Sequence, residues 1–243
     1  MESRITANET TAMKTNYFGH DAAYQTRRAD GYPGWADEQT LQINLETLER
    51  ELSTHYPERG GRALEIGCGA GDLSIWLAEL GFDVVGIDIA PSAIEWANEK
   101  AVDHQASIDF RVGSVLELDD FPANSFDLVL DGHCLHCIIG DDRAALLANV
   151  HRVLKPEEGR FFVKTMCGDI SAPHMKLSEK LVRQFDPDSR CFVSESGVAT
   201  RYIGLPENIL AELSRAGFQI ENHRLQQANC EDGLDELTVW ASK

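Results

Sequence analysis

Long hydrophobic runs are missing from this 243-residue sequence. No stretch approaches the roughly 20 consecutive apolar residues of a transmembrane helix, so no membrane-spanning segment is expected. Residues 1–14 are polar and lack the apolar core that a secretory signal peptide requires. These absences predict a cytoplasmic protein without a membrane partner.

Basic residues are scarce as well. The chain has 22 lysines and arginines against 40 aspartates and glutamates, which gives a formal net charge of −18. A field of this sign repels phosphate backbones, so nucleic acid is not an expected partner. Acidity also promotes solubility, so the charge does not by itself indicate a cationic substrate.

A disulfide framework is not expected either. The six cysteines are Cys68, Cys134, Cys137, Cys167, Cys191 and Cys230. Without a secretory signal they are predicted to be reduced thiols. A chain of this length can bury a full core without disulfides or a structural metal.

What the sequence does contain is an alternation of short apolar runs and helices. The predicted strands are 63–66, 84–87, 108–112, 126–130, 161–165, 218–225 and 237–241. The predicted helices are 72–80, 91–101, 142–154 and 206–216, preceded by one that carries Leu41, Leu45, Leu48 and Leu52 on one face. This rhythm predicts an α/β fold with a doubly wound, mostly parallel sheet between two helical layers.

A glycine-rich turn, Gly67-Cys68-Gly69-Ala70-Gly71, joins the first predicted strand to the next helix. Glycine lets the backbone turn sharply and approach a ligand, and a helix N-terminus offers free N–H groups. Asp88 ends the second strand, where nucleotide-binding α/β folds place an acidic residue on ribose hydroxyls. The combination predicts an adenosine-containing ligand, and the alternative is a plain tight turn with an exposed aspartate.

The dinucleotide fingerprint G-x-G-x-x-G is incomplete here. Placed on Gly67 and Gly69, it needs glycine or alanine at a position that Asp72 occupies. That departure weakens the alternative of an NAD-dependent oxidoreductase. The glycines instead recur at every second position, and Glu65 stands two residues before the first of them.

The pattern Glu65-x-Gly67-x-Gly69-x-Gly71 followed by Asp88 resembles the class I S-adenosylmethionine-dependent methyltransferase family. Residues 84–94, 126–131 and 150–159 are similar to later motifs of that family, and the likeness covers about residues 40–243. It implies a Rossmann-like, seven-stranded sheet whose last strand is antiparallel to the others. It also implies that S-adenosylmethionine binds with its methionine part against Glu65 and the glycine turn, its ribose on Asp88 and its adenine against Ile89.

One position departs from the family. An acidic residue that bonds the adenine amino group usually follows the third strand, where this sequence has Gly113-Ser114-Val115. Ser114 can accept that bond, more weakly than a carboxylate, and Val115 is expected beside the cofactor. Cys68, inside the turn, is expected to pack against the cofactor rather than to react.

Two segments outside the sheet are expected to close over the site. The family often uses its N-terminal segment as a lid, here residues 1–38, with Tyr17, Tyr24 and Trp35 as candidates to contact the sulfonium. For any single one of these aromatics, ordinary packing is the favoured alternative. The methyltransferase domain is then 39–243, with a cap inserted at about 168–204 that holds one helix and a polar loop. In that cap His174, Arg183, Arg190 and Arg201 could bind a substrate carboxylate.

The loop after the fourth strand, residues 131–137, should lie beside the transferable methyl group, because ligands bind at the carboxyl ends of parallel strands. In one interpretation His133 or His136 orients the methyl acceptor or removes its proton. In a second, these histidines bind a metal with Cys134 and Cys137, although four ligands so close in sequence cannot readily surround one tetrahedral ion. In a third, the cysteines only pack. We favour a catalytic histidine, packing cysteines and no metal.

Asp131 begins this loop and either contacts the cofactor, holds a substrate ammonium or caps a turn. The predicted function is methyl transfer from S-adenosylmethionine to an N, S or O atom of a small molecule, by a monomer or homodimer. The alternatives are a methyltransferase acting on a protein or peptide, an NAD-dependent oxidoreductase, and a non-catalytic protein that binds S-adenosylmethionine.

Overall fold

The computed structural model describes residues 13–56 and 59–243, so the predictions for residues 1–12 lie outside the described part. The helices are α1 Gly19–Ala29, α2 Glu38–His55, α3 Asp72–Glu79, α4 Pro91–Asp103, α5 Asp142–Val153, α6 Glu179–Gln184 and α7 Pro206–Arg215. The strands are β1 Arg62–Ile66, β2 Asp83–Asp88, β3 Asp109–Val112, β4 Leu128–Gly132, β5 Arg160–Cys167, β6 Phe185–Asp186, β7 Cys191–Val193, β8 Ala199–Tyr202, β9 Gln219–Gln226 and β10 Asp235–Ser242. A short 3₁₀ turn spans Leu135–Cys137.

Seven strands form one sheet in the order β3-β2-β1-β4-β5-β10-β9. The strands β1 to β5 pair in parallel, whereas β10 is antiparallel to both of its neighbours. This confirms the predicted doubly wound sheet with an antiparallel last strand. The fourth strand begins two residues later than predicted, because Phe126 forms only an isolated bridge to Leu154.

Successive residues of the central strands face opposite sides of the sheet, and both sides are buried. On one side Leu64 and Val129 pack in a cluster to which α5 and α7 contribute Leu146 and Leu213. On the other side strand residues such as Leu128 pack against α2 and α3. The core therefore fixes the strand ends at which a ligand would bind.

The cap is built differently from its prediction. Strands β6, β7 and β8 form a separate antiparallel sheet, which strands of two to four residues are too short to reveal as a sequence pattern. The predicted helix exists as α6, but none of its residues is buried and Val182 is 49% exposed, so the helix does not pack into the core. The N-terminal segment joins this sheet, since Ala199 N–H donates to the carbonyl of Lys14 at 2.9 Å.

The N-terminal segment also contains a helix that the sequence pattern did not predict, α1, which lies on α4. The N-cap residue of α4, Ala90, has no side chain that can accept a hydrogen bond from the helix. Asp21 of α1 replaces it by accepting a hydrogen bond from Ser92 N–H at 2.8 Å. Gln25 adds a bond of 3.0 Å to the Ser92 hydroxyl. The predicted lid segment is thus attached to both the cap and the main domain.

Gly71→Ala is expected to lower the free energy of unfolding by about 2–5 kcal/mol, the sum of left-handed strain and overpacking. Gly71 has a φ of +79°, and a Cβ there would lie 2.6 Å from Phe110 Cζ and 2.9 Å from Ala97 Cβ. Gly81 is the matched control, because its φ is +94° and nothing lies within 4 Å of its Cβ position. Gly81→Ala should cost only the strain of about 1–2 kcal/mol. Equal losses in urea unfolding would contradict the packing role of Gly71.

Candidate active site

A cavity of about 890 Å³ lies at the carboxyl ends of β1, β2, β4 and β5, between the sheet, α1, α2 and the cap. It brings together most of the residues that the sequence singled out. Those that line it are Tyr17, Trp35, Glu65, Gly67, Cys68, Gly69, Asp88, Ile89, Ser114, Val115, His133 and His136. Gly71 and Asp131 are not in its lining. One cavity therefore joins the glycine turn to the loop 131–137.

The glycine turn contributes to the site a backbone surface that has no side chain at Gly67 and Gly69, rather than hydrogen-bond donors. Gly67 has a φ of +67°, and a Cβ there would lie 2.7 Å from Cys134 Cβ. At Gly69, with a φ of +53°, a Cβ would collide with the hydroxyl of Tyr24. The N–H groups of Gly67 and Cys68 both donate to the carbonyl of Ile87, at 2.8 and 3.0 Å. Glycine is needed because the loop and the lid approach the turn so closely.

Asp88 ends β2 with its carboxylate held by backbone donors. Gly69 N–H donates to one oxygen and Ala90 N–H to the other, both at 2.9 Å. The side chain is buried, which raises its pKa, while the two N–H bonds act in the opposite direction. Each carboxylate oxygen keeps a second lone pair, so the group can still accept hydrogen bonds from two adjacent hydroxyls.

Glu65 lies at the end of β1 and is only 2% exposed. Its carboxyl group accepts a hydrogen bond from Ser74 of α3. Burial raises its pKa to about 8, and the nearby charges of Asp72 and Asp88 add to the effect. A buried carboxyl with this pKa is a favourable place for a cation, which would restore its ionised form.

The lid aromatics differ in what they contact. Tyr24 is buried, and its ring centroid lies 5.0 Å from that of Trp35, which is 42% exposed. The Tyr17 hydroxyl donates to Asp142 at 2.8 Å and accepts from Ile139 N–H at 3.2 Å. Tyr17 therefore connects the lid to the segment that follows the loop 131–137.

The residues predicted around the adenine lie together at the ends of β2 and β3. The Ser114 hydroxyl accepts a hydrogen bond from Leu116 N–H at 3.2 Å, and Val115 is buried. Cys68 is also buried, and burial raises the pKa of its thiol well above the usual value. A neutral thiol of this kind is a poor nucleophile, and the packing of Cys68 against the cofactor stays a prediction. The adenine contacts of Ile89, Ser114 and Val115 stay predictions.

Asp131 makes the contacts of a turn cap, and its contact with the cofactor or with a substrate ammonium stays a prediction. One of its oxygens accepts from Cys134 N–H at 2.7 Å and from Leu135 N–H at 2.9 Å. The side chain is fully buried, and burial raises its pKa to about 7. It thus fixes the start of the 3₁₀ turn and acts on the site through the loop.

His133 is held in an unusual conformation next to a carboxylate. Its φ is +76°, a region that costs energy for a residue other than glycine and that is often found at functional sites. Its Nε2 lies 3.2 Å from Glu236 Oε1. Burial lowers the pKa of His133 to about 4 although Glu236 opposes this, so the ring is neutral. The carboxylate of Glu236 favours the tautomer in which Nε2–H donates to it, and that tautomer has its lone pair on Nδ1.

His136 lines the same cavity and is more deeply buried. Its Nδ1 lies 3.5 Å from the Thr165 hydroxyl, and its ring meets that of His133 edge to face at 5.7 Å. Burial lowers the pKa of His136 well below its usual value. Two neutral imidazoles therefore stand side by side at the end of β4.

The two cysteines of the loop have neutral thiols. Burial raises the pKa of Cys137 to about 12 and that of Cys134 well above the usual value. Within residues 13–56 and 59–243, no group of three or more histidine, cysteine or acidic residues is arranged to hold a metal ion. All six cysteines of the chain are unpaired. Packing is the role that these thiol contacts support.

Sequence analysis missed several residues of the cavity. Lys164 of β5 lies 3.2 Å from Glu236 Oε2 and donates to Asn44 Oδ1 at 2.7 Å. Glu236 is the second residue of β10, and the antiparallel direction of this strand brings its first residues to the carboxyl end of β5. The family resemblance implied an antiparallel last strand, and this strand direction could have identified Glu236. A weaker indication was the row of polar residues on one side of α2, namely Thr40, Asn44 and Thr47.

Comparisons with known proteins agree with the observed fold. The sequence model of the family described as Methyltransferase domain matches residues 64–163. The ubiquinone biosynthesis O-methyltransferase of Xanthomonas oryzae pv. oryzae is 36% identical over 115 residues, 47% of this chain and 47% of that enzyme. The chain spans about half the length of the curated relatives it matches.

Two solved structures are similar over most of the chain. A Pyrococcus horikoshii protein is 26% identical with a TM-score of 0.70, over 90% of this chain and 99% of that protein. The Burkholderia thailandensis 1,6-didemethyltoxoflavin-N1-methyltransferase, solved with 1,6-didemethyltoxoflavin and S-adenosylhomocysteine, is 23% identical with a TM-score of 0.67. That similarity covers 93% of this chain and 85% of the enzyme and concerns the fold.

Within the part of the chain that the structure describes, no helix is long and apolar enough to cross a membrane. The family match lies on β1 to β5 and the glycine turn. Residues 64–163 thus match a methyltransferase domain, in agreement with the motifs that resemble the class I S-adenosylmethionine-dependent methyltransferase family.

Proposed function

We propose that this chain is an S-adenosylmethionine-dependent methyltransferase that acts on an N, S or O atom of a small molecule. The observation that carries the proposal is the single cavity of about 890 Å³, which Glu65 and Asp88 line together with His133 and Glu236. The first pair suits a cofactor with a cationic amino-acid part and a ribose. The second pair suits an acceptor that must be oriented or deprotonated.

The residues present fit this cofactor. The positions of Gly67 and Gly69 form a surface that a Cβ would obstruct. Asp88 offers carboxylate lone pairs beside that surface, and Glu65 offers a buried carboxyl that a neighbouring cation would ionise. Tyr24 and Trp35 would cover the sulfonium from the lid, where an aromatic face attracts a cation.

When bound, S-adenosylmethionine would supply an electrophilic methyl group for direct transfer to the acceptor. The protein aligns the acceptor with that methyl and excludes water. His133 would accept a hydrogen bond, or the proton, from the acceptor at Nδ1, while Glu236 holds Nε2–H. His136 would help to position the acceptor from the adjacent turn.

The test is methyl transfer from isotopically labelled S-adenosylmethionine to the small-molecule and protein fractions of a cell extract. Label in new small molecules supports the proposal. Label confined to protein would instead support the alternative of a protein or peptide methyltransferase. Binding of S-adenosylhomocysteine with no labelled product in either fraction would support a non-catalytic binding protein and overturn the proposal.

We infer a cytoplasmic location, in keeping with the six unpaired cysteines. The absence of a nucleic-acid partner and the monomeric or homodimeric state stay predictions from the sequence.

Affinity for S-adenosylhomocysteine is expected to rise with pH by up to about tenfold per unit between pH 6 and 7.5 and to level off above pH 8. Glu65 has a pKa near 8 in the free protein, and a bound ammonium would lower it. The complex then holds fewer protons than the free protein, so raising the pH favours binding. Calorimetry with wild type and Glu65→Gln measures the effect. An unchanged slope in Glu65→Gln would contradict this role.

A further inference from the structure

Four cap side chains are candidates for binding a carboxylate, and the structure distinguishes them. His174 Nε2 lies 2.9 Å from Asp235 Oδ1. Arg183 is exposed and pairs with Glu179 of the same helix. Arg190 donates to the carbonyls of Ile203 and Gly168, at 2.9 and 2.6 Å. Of the four, Arg201 alone lines the cavity.

Arg201 stands on a rigid support. It belongs to β8, and its guanidinium carbon lies 5.1 Å from the ring centroid of Phe192, its partner on β7. Phe192 is 2% exposed and meets Phe185 edge to face at 5.5 Å. A guanidinium above an aromatic ring keeps its planar set of N–H donors available to a ligand.

The charge of Arg201 acts at the acceptor end of the cavity. It contributes to the lowered pKa of His136 and opposes the rise in the pKa of Cys137. Both residues belong to the 3₁₀ turn that follows β4, on the side of His133. A ligand group bound by Arg201 would therefore lie beside the two histidines.

Arg201 also keeps an unneutralised charge. Among the ion pairs of residues 13–56 and 59–243, none includes Arg201. The two other cations that line the cavity have acidic neighbours. Lys164 lies 3.2 Å from Glu236, and the charge of Arg27 lowers the pKa of Asp37. In a chain of net charge −18, Arg201 is a local site for an anion.

We propose that the methyl acceptor carries a carboxylate or phosphate group that binds Arg201, at an atom other than the one that is methylated. This inference rests on the proposed methyl transfer. It limits the candidate acceptors to small anions of a particular size. Their anionic group binds Arg201 on β8, and their nucleophilic atom then lies next to His133. The methylated product keeps its negative charge, because the anionic group is not the one that reacts.

The test compares wild type, Arg201→Gln and the matched control Arg183→Gln. Each is incubated with labelled S-adenosylmethionine and the small-molecule fraction of a cell extract, and the products are separated by anion exchange at neutral pH. We expect the label in the fraction that the anion-exchange column retains.

Arg201→Gln should lower the yield of this labelled product about 10–100-fold at limiting extract, because a charge-assisted hydrogen bond between the enzyme and the acceptor is lost. Arg183→Gln should match wild type, and all three should bind S-adenosylhomocysteine alike.

Phosphatase treatment of the retained product distinguishes the two anions. Label that moves to the unretained fraction indicates a phosphate, and label that stays indicates a carboxylate; either supports the inference. Product that is unretained before phosphatase, or a full yield from Arg201→Gln, overturns it while leaving the methyltransferase proposal intact. Equal losses of product and of S-adenosylhomocysteine affinity would place Arg201 on the cofactor and also overturn it. No labelled product from wild type overturns both proposals.

Discussion

His133→Ala is expected to lower kcat by about a hundredfold or more, the usual contribution of a positioned acid–base group, and to leave S-adenosylhomocysteine affinity unchanged. The imidazole is neutral, and Glu236 holds its Nε2 proton, so its other nitrogen can receive the acceptor's hydrogen bond or proton. Alanine removes that nitrogen without touching Glu65 or Asp88. Steady-state rates with the acceptor found by labelling, together with calorimetry, separate the two quantities.

Two variants accompany this measurement. His104→Ala is the matched control, because His104 lies on the surface and pairs only with Glu79. Glu236→Gln should lower kcat by about tenfold, since the tautomer is then less firmly held. If His133→Ala and His136→Ala both keep full activity on the true acceptor, neither histidine has the catalytic role assigned to it.

Asp88→Ala is expected to weaken S-adenosylhomocysteine binding by about a hundredfold or more, because two hydrogen bonds to a charged group would be lost. The carboxylate is fixed by Gly69 N–H and Ala90 N–H, so its remaining lone pairs are already oriented when the ribose arrives. Asp83→Ala is the matched control, because Asp83 begins the same strand but its side chain is 78% exposed. Calorimetry on folded samples measures the change.

Titration with adenosine shows which part of the ligand accounts for the loss of affinity in a variant. It contains the ribose but no amino-acid part, so Asp88→Ala should weaken adenosine and S-adenosylhomocysteine by similar factors. Glu65→Gln should weaken S-adenosylhomocysteine alone. An Asp88→Ala protein that binds adenosine as well as wild type does would show that this carboxylate does not hold the ribose.

The sequence singled out residues that the structure brings together in the proposed cofactor half of the site, because they are local to one turn and one strand end. Gly67, Gly69 and Asp88 lie next to one another as soon as β1 and β2 pair, and the alternation of strands and helices predicts that pairing. The same alternation explains why the doubly wound, mostly parallel sheet was predicted correctly.

The acceptor half could not be predicted as fully, because it is assembled from distant parts of the chain. Glu236 reaches His133 only because β10 runs antiparallel along β5, and Arg201 reaches the cavity only through the small sheet of the cap. Strands as short as β6 and β7 carry too few residues for an alternating pattern. Helix α1 was missed because tertiary contacts such as Asp21 with Ser92 support it.

The central claim is that the glycine turn and Asp88 form a site for the adenosine and methionine parts of S-adenosylmethionine. Calorimetric titration of the wild-type chain with S-adenosylhomocysteine and, separately, with NAD tests it most directly. The account predicts that one S-adenosylhomocysteine binds per chain and that NAD gives no detectable heat, in keeping with Asp72 at the position where a dinucleotide site needs a small residue. Binding of NAD without binding of S-adenosylhomocysteine would contradict it.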